Sequence, residues 1–90
     1  MNKINVIITG RVQGVWFRKY TQRKAKELGL TGWVRNESNG NVALIAEGSE
    51  KLLKKFVHWL GKGAPEAEVD TVNVNWEEAK GIFKSFEIIK

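Results

Sequence analysis

The stretch richest in chemical possibility is Gly10-Arg11-Val12-Gln13-Gly14-Val15-Trp16-Phe17-Arg18. A strand pattern runs into it, a helix pattern runs out of it, and two glycines loosen the backbone between them. Arg18 falls in the first turn of the helix. Backbone N–H groups at a helix N-terminus favour an anion, whereas an arginine there meets the positive end of the macrodipole. A bound anion removes that conflict, and so does an arginine directed into solvent. Spacing alone leaves both readings open.

Asn36 is the second candidate. It shares parity with Leu30, Gly32 and Val34, the apolar row of a strand. An amide buried in that row must find hydrogen-bond partners. Either the backbone of the neighbouring hairpin supplies them, or the amide holds a water or a ligand at the strand end. A group that donates and accepts at once suits the orientation of a nucleophilic water.

Other chemistries lack their residues. There is no cysteine, hence no disulfide, thiolate nucleophile or sulfur metal site. His58 is the one histidine and Asp70 the one aspartate, which excludes a histidine-cluster zinc site and an Asp-x-Asp metal site. No metal and no other cofactor is expected, and catalysis would rest on positioning and electrostatics. Charge is uneven. Residues 1–26 carry seven basic and no acidic side chains, and the rest carry eight basic and ten acidic. The net charge of +5 is therefore a property of the N-terminal third, which attracts anions. His58 lies between the apolar positions of its helix and reads as solvated. Trp33, Trp59 and Trp76 read as core or rim aromatics, and Lys51, Lys54 and Lys55 as a solvated face.

The elements that must position Arg18 and Asn36 follow from periodicity. Ile4, Val6 and Ile8 alternate with Asn5 and Thr9, so 3–9 reads as a strand. Phe17, Tyr20, Thr21, Lys24, Ala25 and Leu28 have helical spacing, stopped by Gly29. Leu30 to Glu37 reads as a second strand, Asn39-Gly40 as a hairpin turn, and Val42 to Glu47 as a third strand. Ser49 is a good N-cap for a helix whose apolar stripe is Leu52, Leu53, Phe56, Val57 and Leu60. Gly61, Gly63 and Pro65 break it. Val72, Val74 and Trp76 alternate in a fourth strand, and a short last strand spans about 83–89. The order β-α-β-β-α-β plus a C-terminal strand predicts an α+β fold. The expected form is a ferredoxin-like α/β sandwich, with a mostly antiparallel sheet and two helices on one face. Ninety residues make a single domain, 1–90, with a modest core. No apolar run is long enough to span a membrane, and residues 1–6 lack a signal-peptide apolar segment. A cytoplasmic monomer is expected.

These motifs together resemble the acylphosphatase family. The Gly-Arg-Val-Gln-Gly-Val-x-Phe-Arg run at 10–18 is similar to that family's first signature. Gly32-Trp33-Val34-Arg35-Asn36, followed by Asn39-Gly40-x-Val42, is similar to its second. Glu47-Gly48, the Gly63-x-Pro65 turn with Val69 and Val72, and a Phe86-x-Ile88 ending extend the likeness over nearly the whole chain. The resemblance implies hydrolysis of the carboxyl–phosphate bond of acyl phosphates, with neither metal nor phosphoenzyme. It implies that Arg18 binds the phosphoryl group, and that backbone N–H groups of Gly10, Arg11, Val12, Gln13, Gly14, Val15, Trp16 and Phe17 cradle it. It implies that Asn36 orients the attacking water. Inorganic phosphate or sulfate should then compete as an anion. One position departs. Between Val15 and Phe17 microbial members often carry glycine and other members carry larger residues; here it is Trp16. A bulky side chain there restricts the loop backbone, which bears on rate and acyl specificity more than on reaction type.

Two rivals stay in view. RNA-recognition domains share the element order and would use the basic N-terminal third. They stack bases on aromatics of the first and third strands, and 4–9 and 42–47 contain none. No nucleic-acid partner is therefore expected beyond weak backbone binding. The other rival is a catalytically weak module that senses phosphate or binds a protein.

Overall fold

Ile4, Val6 and Ile8 give β1 one apolar face, and burying that face dictates the rest of the architecture. A computed structural model describes residues 1–89. The elements are β1 (Asn2–Arg11), α1 (Phe17–Glu27), β2 (Thr31–Asn36), β3 (Val42–Gly48), α2 (Glu50–Lys62), β4 (Glu68–Glu78) and β5 (Phe86–Ile88). The strands form one sheet in the order β4-β1-β3-β2-β5. Pairing is antiparallel except for the β2–β5 contact, which is parallel. This is the expected ferredoxin-like sandwich, with β5 added beside β2. The expected domain 1–90 includes Lys90, which lies outside the described residues.

One face of the sheet holds the core. Ile4, Val6 and Ile8 stand beside Ala46, Leu44 and Val42 of β3 and beside Trp76, Val74 and Val72 of β4. Phe17, Ala25, Leu53, Phe56 and Leu60 of the helices close over them. Phe56 ties α2 to the last strand. It stacks on Trp59, with centroids 6.4 Å apart and planes within 2°, and meets Phe86 edge-on at 6.0 Å. Pairs of this kind contribute about 0.5–1.5 kcal/mol each beyond their buried area. They help hold β5 in place although its ladder is only three residues long.

Two features depart from the expected strand pattern. Thr9 faces Thr71 but Gly10 faces Val69, so β4 bulges at Asp70. A Cβ on Gly10 would lie 2.1 Å from the Glu68 carbonyl oxygen, and its φ is +123°, so the bulged pairing needs glycine there. The final strand is also shorter than the expected 83–89. Residues 79–85 cross the far end of the sheet instead, held by Glu47. That side chain is only 2% exposed. Its carboxylate accepts the backbone N–H groups of Lys80 at 3.2 Å and Gly81 at 3.1 Å.

Candidate active site

The loop between β1 and α1 is pinned at both ends. Val12 and Phe17 are buried in the core. Gln13 Nε2 donates to the carbonyls of Glu37 at 2.7 Å and Asn41 at 2.8 Å, fastening the loop to the β2–β3 hairpin. Asn36 lies at the base of that hairpin, so Gln13 couples the loop to the strand end that carries the amide. Between the anchors the backbone turns sharply, with φ of +75° at Gly14 and +62° at Trp16. Trp16 is the one non-glycine with positive φ among the described residues. For an L-residue this conformation costs about 1–2 kcal/mol.

The turns leave donors free. Among the described residues, no backbone N–H from Gln13 to Lys19 finds an acceptor within the chain, and the next, Tyr20, donates to the Trp16 carbonyl at 3.0 Å. Trp16 occupies the N-cap of α1 and supplies no side-chain cap bond, and the first turn of α1 contains no acidic residue. Two cations, Arg18 and Lys19, stand in that turn instead. Neither has a carboxylate partner among the described residues. Each is unfavourable by about 0.3–1 kcal/mol against the helix dipole. An anion at this terminus satisfies the free donors and reverses the sign of the charge problem.

Arg18 and Asn36 line one cavity of about 380 Å³, together with Val12, Gly14, Trp16, Phe17, Lys19 and Ile88. Arg18 is half-buried and only weakly tethered, by an Nη1 contact of 3.5 Å to the Ile89 carbonyl. Asn36 points to the helix side of the sheet, as parity requires, in the row of Gly32 and Val34. The hairpin backbone does not satisfy its Oδ1, which is buried and has no hydrogen-bond partner among the described residues. A buried acceptor left in that state costs about 1–3 kcal/mol. Of the sequence candidates, the structure brings Arg18, Asn36, Val12, Gly14, Trp16 and Phe17 to the cavity wall. Gly10 and Arg11 end β1, and Gln13 and Val15 belong to the loop without lining the cavity. Lys19, Ile88 and the tethering role of the Gln13 amide were not among the sequence candidates. Lys19 follows Arg18 directly and could have been included on charge. Nothing local in the sequence marks the other two.

The remaining titratable side chains form no rival centre. His58 is exposed on α2, as expected. Among the described residues no group of three or more histidine, cysteine, aspartate and glutamate side chains is placed to hold a metal ion. Among them too, no helix is long and apolar enough to cross a membrane.

A β1–α1 turn with unpaired backbone N–H groups, and an arginine and a strand-end amide lining one cavity beside it, is an arrangement that sequence and structure comparisons place in a known class. The acylphosphatase family profile matches residues 4–88. The chain belongs to that family. It is 42% identical to the acylphosphatase of Pelotomaculum thermopropionicum over 96% of this chain and 94% of that one. It is 45% identical to the acylphosphatase of Salinibacter ruber over 96% and 90%. The crystal structure of acylphosphatase from Bacillus subtilis superposes with a TM-score of 0.97 at 36% identity, covering both chains completely.

Proposed function

We propose that the protein hydrolyses acyl phosphates to a carboxylate and inorganic phosphate by direct attack of water. The observation that carries this reading is the shared cavity of Arg18 and Asn36, in which, among the described residues, the guanidinium lacks a carboxylate partner and the amide oxygen lacks a donor. The Arg18 fork holds two phosphoryl oxygens, and the free N–H groups of the loop hold the same charge. Asn36 orients a water in line with the scissile bond. Its oxygen bonds to phosphorus as the phosphorus–oxygen bond to the acyl group breaks, and the electron pair leaves with the carboxylate. A phosphoryl oxygen of the substrate takes the proton. A carboxylate is a good leaving group, so no side-chain acid is required. Positioning and charge stabilisation supply the rate, as phosphoryl transfer generally demands.

The substrate is a small molecule, the working unit is one domain acting as a monomer in the cytoplasm, and no metal takes part. Inorganic phosphate and sulfate compete for the same donors and stabilise the fold by mass action. The test is optical turnover of acetyl phosphate and benzoyl phosphate by protein dialysed against EDTA. Hydrolysis that persists and is inhibited competitively by phosphate supports the proposal. Loss of activity restored by Mg²⁺ or Zn²⁺ overturns the metal-free route.

A further inference from the structure

Trp16 gives up three stabilising arrangements at one position. Its side chain is 73% exposed. Its backbone is left-handed, where a glycine would be unstrained. It stands at a helix N-cap without a side-chain cap bond. A residue that costs stability in these ways, on the wall of the cavity that holds Arg18 and Asn36, points to work done in that cavity.

The cavity has a polar side and an apolar side. Arg18, Lys19 and Asn36 make the first. Val12 and Phe17 contribute to the second but are each only 1% exposed, being committed to the core. The apolar surface left for a guest is therefore that of Trp16 and Ile88. The volume of about 380 Å³ falls in the range of small-molecule sites and leaves room beyond a phosphoryl group. An indole ring offers a flat π face, and the guest that uses it best is another flat π system in offset stacking.

We propose that Trp16 is a specificity-determining residue: with the phosphoryl group on Arg18, the indole forms a shelf for the acyl group and selects aromatic over short aliphatic acyl phosphates. This rests on the acyl-phosphate reading above. The experiment compares kcat/KM for benzoyl phosphate and acetyl phosphate in wild type, Trp16→Gly and Trp16→Phe. Both substrates share the phosphoryl group, so any general change in the loop cancels in the ratio. Glycine adopts the left-handed backbone freely, and circular dichroism verifies that each variant is folded. The benzoyl-to-acetyl ratio should fall about fivefold or more in Trp16→Gly, the scale of one aromatic pair, and stay within about twofold of wild type in Trp16→Phe. A fall of less than about threefold in Trp16→Gly overturns the shelf. Calorimetric affinities for phenacylphosphonate and acetonylphosphonate, in which a methylene replaces the bridging oxygen, separate this from the parent reading. If wild type turns over neither acyl phosphate, the hydrolytic reading fails. The shelf then stands only if the phenacyl compound binds more tightly and Trp16→Gly abolishes that preference; equal affinities overturn it too.

Discussion

The two helices of this molecule begin in opposite ways. At α2, Ser49 has the extended backbone of a good N-cap, its Oγ accepts the Leu52 N–H at 3.3 Å, and acidic Glu50 complements the dipole. At α1, the N-cap is a left-handed tryptophan with no cap bond, and the first turn carries two cations and no acid. One terminus is completed by its own side chains. The other is left incomplete in donors and in charge, and it is the one that opens on the cavity. The same contrast separates two polar groups in the sheet. Glu47 is buried and receives two backbone N–H groups, whereas the Asn36 oxygen receives none among the described residues. Where the fold satisfies a polar group internally the role is structural. Where it withholds the partner at the cavity wall, as at Arg18 and Asn36, the group is left for the role proposed above.

The contrast is broken most severely at Arg18. Arg18→Ala should lower kcat/KM for acyl phosphates by about a thousandfold or more, the scale of losing a transition-state guanidinium. It should also abolish thermal stabilisation by phosphate. Arg18→Lys should recover little, because a point charge cannot reproduce the fork; near-native kcat/KM in that variant would show that any cation suffices. Asn36→Ala comes next, with kcat down on the order of a hundredfold and phosphate affinity nearly unchanged. The amide oxygen is already unpaired, so unfolding free energy should change by less than about 1 kcal/mol. A large fall in denaturant midpoint with kcat preserved would make it a structural amide. At the completed terminus, Ser49→Ala should cost about 1 kcal/mol of stability in urea melts and leave kcat untouched. The smallest effect concerns pH. The Glu50 carboxyl titrates below its ordinary value of 4.5, through its hydrogen bond from Lys54 and then through the Lys54 charge. A carboxyl lowered on folding stabilises the protein above its unfolded-state value and loses that contribution as pH falls through the folded one. The stability gap between wild type and Lys54→Met should therefore be present at neutral pH and close below about pH 4.5. A gap that is constant across the range would assign it to something other than the ion pair.

Much of this was legible before any coordinates. Ile4, Val6 and Ile8 at every second position set β1, the Asn39-Gly40 turn signal before an apolar run set β3, and Ser49 before an apolar stripe set α2. Parity put Asn36 on the core side of β2. Legibility failed where residues far apart in the chain decide the outcome. Val69 and Val72 both pack against the core although three positions separate them, because the bulge at Asp70 flips the parity. A period-two reading therefore finds only the second half of β4. Glu47 sits on the outward parity of β3, yet it is buried, with the backbone N–H groups of Lys80 and Gly81 folded onto its carboxylate. Gln13 looked like one more loop residue, and only the return of the β2–β3 hairpin gives its amide two carbonyls to hold.

The Arg18 tether has a kinetic meaning. It joins residues 71 positions apart, and Asn36 and Ile88 reach the same cavity from a central and an edge strand. No segment of the chain contains the site. Closing contacts of that sequence separation is slow and comes at the expense of chain entropy. A fragment bearing the 10–18 stretch should hold no phosphate, and during refolding activity should return only with global structure.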